Sequence, residues 1–389
     1  MFERVTVGNR VWHDLNGNGI QDAEEPGMSD VVVMLIDGNT GNQIGPDGST
    51  DSEGIYLFDN NLPPGMYRVA FVLPDQYVFT VKAKDITPIT NPVDGSLHYD
   101  HVTSDVDRDT VEWGVGVTDV KMVTSGDINL SFDAGMFIPV TINGTAFHDL
   151  NANGFEEGGE EGLSDITVTL YDRDGDVAGE QNTVDGVWHF DDMPPGLYWA
   201  EITPPAGSKY MLSPKPTNNT AGASTNFNPD SWRTDEVTLM SGESGDGFFD
   251  AGLYLPATIG DFVWFDETPN GIQDPDEVGY DKPVAIKLYD ELDYLLNQTE
   301  SSASTGMYKF TGLKPATYTL EFILPDDDYK FTVQGVGNNT DLDSDISPTS
   351  GRVTVTVTSG EEKLDVDAGV MDMGPYYPVW DNDEQVSIV

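Results

Sequence analysis

The feature that most constrains this chain is a twelve-residue stretch, Asp14 to Glu25, that returns twice. Side-chain oxygens stand at loop positions 1, 3, 5, 9 and 12 (Asp14, Asn16, Asn18, Asp22, Glu25), Gly19 is at position 6, and Ile20 at position 7 offers only its carbonyl. That is the ligand order of an EF-hand-type calcium loop, and a set of carboxylate, amide and peptide oxygens suits a hard cation such as Ca2+. Asp149 to Glu160 keeps the register with Asn151, Asn153, Phe155 and Glu157. Asp266 to Glu277 keeps it with Asn270, Ile272 and Asp274 but has Thr268 at position 3, so the third copy is expected to be the weakest.

What flanks the loops decides the fold class. Residues 5 to 12, with counterparts at 140–147 and 257–264, alternate polar and apolar up to each loop, as a strand does. After each loop, 31–36, 166–171 and 284–289 alternate again; Ile166, Val168 and Leu170 point one way, Thr167 and Thr169 the other. A dockerin would put a helix there, and helical spacing is absent. Each copy continues into a Pro-containing turn with a Tyr two residues after its Gly or Ala (Tyr67, Tyr198, Tyr318), expected to be a structural corner. Each closes on Asp-Ala-Gly at Asp133, Asp250 and Asp367, 117 residues apart (250 − 133 and 367 − 250).

The expected architecture is therefore all-β: three tandem prealbumin-like or Ig-like β-sandwich domains at 1–138, 139–255 and 256–371, with an insertion near 83–113 in the first and a tail at 372–389. Phe137-Ile-Pro139 and Tyr254-Leu-Pro256 leave almost no linker, so a semi-rigid rod on the order of 100 Å is expected.

Composition narrows the partners. Asp+Glu number 68 against Lys+Arg 18, a net charge of -50, which disfavours nucleic acid and anionic membranes and favours cations beside a solvated acidic surface. With no Cys the fold must hold without disulfides, and bound metal is an alternative staple. No window approaches the roughly 20 apolar residues of a membrane span, and the first residues lack a signal-peptide layout.

A second acidic set precedes the closing motif: Asp105, Asp107 and Asp109 in the first repeat, Asp341, Asp343 and Asp345 in the third. Offsets from the closing Asp place Asn226 and Asn228 in the second. Alternate carboxylates on an extended segment share one side and could converge on a cation; a solvated loop is the other reading. The closing Asp residues could instead bond backbone. Catalytic signals are poor, since His occurs only at 13, 98, 101, 148 and 189, with no Cys to pair and no zinc spacing.

These residues resemble a known family. Val-Gly-x-x-Val-Trp-x-Asp at 7–14, the loop, Pro-Pro-Gly-x-Tyr at 63–67 and the Asp-Ala-Gly endings are similar to the SdrD B-like domains of serine-aspartate-repeat surface proteins, related to collagen-adhesin B-type repeats. The resemblance implies a calcium-bound sandwich used in tandem as a stalk, in an extracellular setting at a cell surface or in a matrix, with neighbouring domains or subunits as partners. Collagen-adhesin relatives can carry Lys–Asn isopeptide bonds; the three first strands here contain no Lys, so none is expected. The expected function is a non-enzymatic calcium-stiffened stalk. The alternatives are an adhesin module that binds a glycan or protein, through the insertion and Trp113 for example, and a filament subunit whose tail strand adds to a neighbour.

Overall fold

The computed structural model describes residues 2–82, 89–90, 97–98, 103–106, 111, 114–217, 224–337 and 339–374. All regular elements among these are strands or turns. Among the described residues no helix is long and apolar enough to cross a membrane. The insertion is described only in part, and Asp107, Asp109, Trp113 and tail residues 375–389 lie outside the described residues.

By compactness the chain divides into two units, and the division runs through the middle repeat. The first comprises Met1–Thr145, Leu163–Thr203 and Asn226–Asp250; the second comprises Ala146–Gly162, Pro204–Thr225 and Ala251–Val389. The middle repeat is bonded to a neighbour inside each unit, at Ser241 in the first and Ser359 in the second.

Within the first unit, the first repeat is a sandwich. One sheet runs Ile128–Asn129, Val5–His13, Ala134–Phe137, Val78–Phe79, with Ile55–Leu62 also on Val5–His13. The other runs Lys121–Val123, Gly65–Val72, Val32–Asp37, Gly48–Ser49, with Val115–Val117 on Gly65–Val72. Alternation sends Val5, Val7 and Val11 from one sheet and Val33, Leu35, Val69 and Phe71 from the other into a shared core. The same unit holds a middle-repeat sheet built on Thr167–Tyr171 and Gly196–Thr203. Within the second unit, the third repeat pairs Ala257–Phe265 with Met307–Leu313 and Ala368–Asp372, and Ala285–Tyr289 with Leu295–Glu300 and Ala316–Ile323, around its own core. The strands expected after each loop are present as Val32–Asp37, Thr167–Tyr171 and Ala285–Tyr289.

The Asp-Ala-Gly motif has a packing cause. The closing strand lies parallel to the first: Val11, Trp12 and His13 stand opposite Ala134, Gly135 and Met136, and Val263, Trp264 and Phe265 opposite Ala368, Gly369 and Val370. Trp12, Phe147 and Trp264 are fully buried, and each ring lies against the motif's Gly. A Cβ on Gly135 would come 2.7 Å from both the Trp12 ring and Thr80 Cγ2. The turn tyrosines are corners as expected: Tyr198 Oη donates to the Pro194 carbonyl (2.6 Å), Tyr318 Oη to that of Lys314 (2.7 Å), and Tyr67 to that of Pro63.

Gly135→Ala should therefore overpack the first core and cost about 1–3 kcal/mol of unfolding free energy. Chemical denaturation measures this, and an unshifted midpoint would contradict the packing account.

Candidate functional site: the acidic loops and the ends they form

Each loop is anchored by its first Asp. The last N–H of the paired first strand runs on into the loop, so Asp14, Asp149 and Asp266 donate to the Met136, Leu253 and Val370 carbonyls (2.8, 2.9 and 2.8 Å). All three side chains are fully buried. Asp14 Oδ1 accepts the Gly17 N–H (2.7 Å), and its Oδ2 accepts those of Gly19 (2.8 Å) and the Thr80 hydroxyl (2.5 Å). Asp266 is held likewise by Asn270, Gly271 and Thr332, and Asp149 by Asn153 and Gly154. Gly19, Gly154 and Gly271 adopt φ of 75°, 84° and 78°, the left-handed turn that position 6 requires.

The closing Glu ties the loop shut. Glu25 Oε1 accepts the Leu15 N–H (2.7 Å) and Oε2 that of Asp22 (3.0 Å). Glu160 does the same with Leu150 and Glu157, and Glu277 with Glu267 and Asp274. In the third loop Glu277 also takes the Thr268 N–H (3.2 Å). Inside the first loop, Asn16 and Asn18 turn their amides onto Asp22 Oδ2 (2.8 and 3.0 Å), and their own oxygens accept the Asn18 and Ile20 N–H groups. Asn151 reaches Glu157 and Asn270 reaches Asp274 in the same way. Positive amide ends thus face the position-9 carboxylate in all three copies.

The segment preceding the closing motif docks on the loop. Ile20, Phe155 and Ile272, at position 7, bridge to Thr103, Ser224 and Asp343. Flanking peptides close these bridges, as with Ser344 N–H to the Gly271 carbonyl (3.2 Å) and Gln273 N–H to that of Leu342 (2.7 Å). The position-7 carbonyl is left outside the ladder, where a cation in the loop could use it. Carboxylates, amides and this carbonyl fit an oxygen-seeking ion by donor chemistry. Among the described residues no three Asp, Glu or His side chains are grouped to hold a metal, so such a site would draw on amide and peptide oxygens as much as on carboxylates.

The second acidic set is corrected in two respects. Asp105, Asn226 and Asp345 are the equivalent residues: each accepts the N–H of the closing Asp (3.1, 2.9 and 2.8 Å) and donates its own N–H to that residue's carbonyl. Equal offsets from the closing Asp match Asn226 to Asp343, but the interval to the equivalent residue is 24 in the second repeat and 22 in the third. The expected convergence also fails among the described residues. Asp341 is exposed, Asp343 is buried with an unpartnered Oδ1, and Asp345 is spent on backbone. Asp105 has a cation within the chain, the Lys121 ammonium, 2.9 Å from each of its oxygens. The closing Asp residues bond first-strand backbone: Arg10, Thr145 and Phe262 donate to Asp133, Asp250 and Asp367.

Two serines were not anticipated. Within the first unit, His13 Nε2 lies 2.7 Å from Ser241 Oγ, Ser241 N–H donates to the Leu15 carbonyl (2.8 Å), and Ile138 N–H donates to Ser241 Oγ (2.7 Å). Within the second, His148, Leu150 and Leu255 meet Ser359 identically (2.7, 2.9 and 2.7 Å). Burial holds the His13 imidazole below its usual pKa, against the pull of Asp14, so a neutral ring can accept the serine hydroxyl. Gly17 also lies against Pro195, where a Cβ would stand 2.6 Å from the carbonyl oxygen. Each of the first two loops is thus bonded to the next repeat. The signal was in the sequence as Ser-Gly turns recurring at 125, 241 and 359.

Burial shifts one carboxylate of the first loop and two around the third closing motif upward. Burial, then the Asp14 and Asp22 charges, push Glu25 up to about 7; burial and the Asp261 charge push Asp367 to about 8; burial and Asp343 push Asp345 to about 6. All three exceed the unfolded carboxyl value of about 4, so at these three groups the folded chain holds more protons than the unfolded one. Without divalent cations, this contribution is full below about pH 4 and is lost as pH rises through 6 to 8. Melts in chelator should fall across that window, and Asp367→Asn should flatten the part above pH 7. A rising or level profile would contradict the assignment.

The comparisons agree with the repeat structure. The SdrD B-like domain model matches residues 5–136, 140–253 and 257–370. Serine-aspartate repeat-containing protein D of Staphylococcus aureus (strain MW2) is 32% identical over 379 residues, 96% of this chain and 25% of that protein. Serine-aspartate repeat-containing protein F of Staphylococcus epidermidis (strain ATCC 12228 / FDA PCI 1200) is 31% identical over 97% of this chain and 21% of its own length. The chain thus spans about a quarter of the curated relatives it matches. Among solved structures, BcpA, the major pilin subunit of Bacillus cereus, aligns with a TM-score of 0.31 at 12% identity, over 94% of this chain and 99% of that one.

Proposed function

The chain belongs to the SdrD B-like domain family, and from that premise we propose that it is a calcium-stabilised, extracellular, non-enzymatic stalk segment of a surface adhesin or matrix assembly. The observation that carries this reading is that the first two loops are at once the oxygen-rich elements and the ends bonded to the next repeat. An ion held by Asp14, Asn16, Asn18, Asp22, Glu25 and the Ile20 carbonyl would replace amide dipoles with a full charge opposite Asp22 and Glu25. It would fix Leu15, and through the Leu15 carbonyl the Ser241 turn. Asp149 to Glu160 would act in the same way on Ser359. His13 and His148, the two histidines beside the acidic loops, are committed to these junctions, which supports a mechanical reading over a catalytic one.

Each loop that takes an ion adds stability by mass action, about 2.7 kcal/mol when calcium is a hundredfold above its Kd. EDTA should therefore lower the melting temperature, and Glu25→Gln should remove part of the calcium response. The third loop, with Thr268 at position 3, should titrate last. An unchanged melt in EDTA and no heat on calcium titration would overturn the reading. Ser241→Ala should cost about 1 kcal/mol, the net worth of a hydrogen bond, and should reduce the amide protection of its neighbours. Hydrogen exchange measures it, and unaltered protection would show that the serine holds nothing.

A further inference from the structure

The Ser241 and Ser359 turns have a third counterpart on the first repeat. In Thr124-Ser125-Gly126-Asp127, Met240-Ser241-Gly242-Glu243 and Thr358-Ser359-Gly360-Glu361, the fourth N–H donates to the first carbonyl (3.1, 2.9 and 3.1 Å). The fourth carboxylate accepts the first N–H (2.7, 2.7 and 2.9 Å), and the Gly φ values are 83°, 79° and 73°. Ser125 Oγ accepts the Glu3 N–H (2.8 Å), just as Ser241 and Ser359 accept those of Ile138 and Leu255. The other side of the turn differs. Ser241 and Ser359 give their N–H to a loop carbonyl and face a His, whereas among the described residues Ser125 N–H has no backbone acceptor. Ser125 is exposed where Ser241 and Ser359 are half-buried. Pro64, in the turn that joins Gly65 opposite Val123, is half-buried where Pro195 and Pro315 are buried.

The donor side shows what would fit. The two engaged loops have His directly ahead of the first Asp and a small residue at position 4: His13 with Gly17, His148 with Ala152. Ala152 is fully buried, and Gly17 leaves no room for a Cβ. The third loop has Phe265 and Pro269 at these positions. Phe265 has no ring nitrogen to meet a serine and packs instead beside Tyr280 and Tyr329.

We propose that the Ser125-Gly126 turn, with the Pro63-Pro64-Gly65 turn beside it, is a docking site for the loop end of a further repeat, one with His ahead of its first Asp and Gly or Ala at position 4. The chain's own third loop does not match it, so the joint is directional and copies of this chain do not join head to tail through it. The inference goes beyond the stalk reading and rests on junction geometry rather than on calcium.

The test places a copy of residues 139–254 directly ahead of Glu3 in the full chain and follows amide exchange at Ser125, in calcium and in EDTA. A second protein carries a copy of residues 3–137 there, so the outcome does not hang on one added repeat folding. Docking predicts that Ser125 exchange slows by about tenfold or more, toward the rates of Ser241 and Ser359. In the second protein one of the two Ser125 populations slows. His148→Phe in the added copy alone should restore fast exchange. Slowing in EDTA as in calcium supports docking whatever becomes of the calcium reading. Fast Ser125 exchange in both extended proteins overturns the proposal, as does slowing that survives His148→Phe.

Discussion

The parallel pairing of first and closing strands is the constraint on which the rest depends. It places an aromatic ring against a glycine, it aims the closing Asp at first-strand N–H groups, and its last bond delivers a buried Asp to the start of each loop. A buried carboxylate with few cationic neighbours is costly unless hydrogen bonds surround it. The chain meets that cost with loop N–H groups and a threonine hydroxyl, so the loop conformation is a consequence of anchoring Asp14 and Asp266.

Acidity is the second constraint on the fold. With 68 acidic against 18 basic residues, local neutralisation by lysine is scarce; Lys121 with Asp105 and Lys363 with Asp365 are instances where it occurs. Lys282 with Asp326 and Arg352 with Asp293 add surface pairs, many other carboxylates are held by N–H donors and amide dipoles, and burial pushes Glu25 and Asp367 upward. A divalent ion is the chemistry that would relieve the loops, and because the first two loops also carry a serine turn of the next repeat, the relief would be felt at the junctions.

Much of this was legible in the sequence because period-2 alternation, Gly at position 6 and the Tyr corner are local signals with local causes. The strands after each loop, the corner bonds and the recurrence of Asp-Ala-Gly all followed from such signals. What was not legible depends on distance. Ser241 lies 228 residues from His13, so nothing in the spacing of either connects them. The acidic set before the closing motif misled for a related reason. Alternation places side chains on one side only while a segment remains extended, but residues 341–345 turn to bridge Ile272, leaving Asp341 outside and Asp345 on backbone.

The central claim is that ion binding in a loop is transmitted to the joint it forms. The most direct measurement is amide exchange at Ser241 and Ser359 in the full chain, in calcium and then in excess chelator. The account predicts that both amides are slowed by calcium while Ser125 is indifferent to it. Equal rates for Ser241 and Ser359 in calcium and in chelator would contradict it.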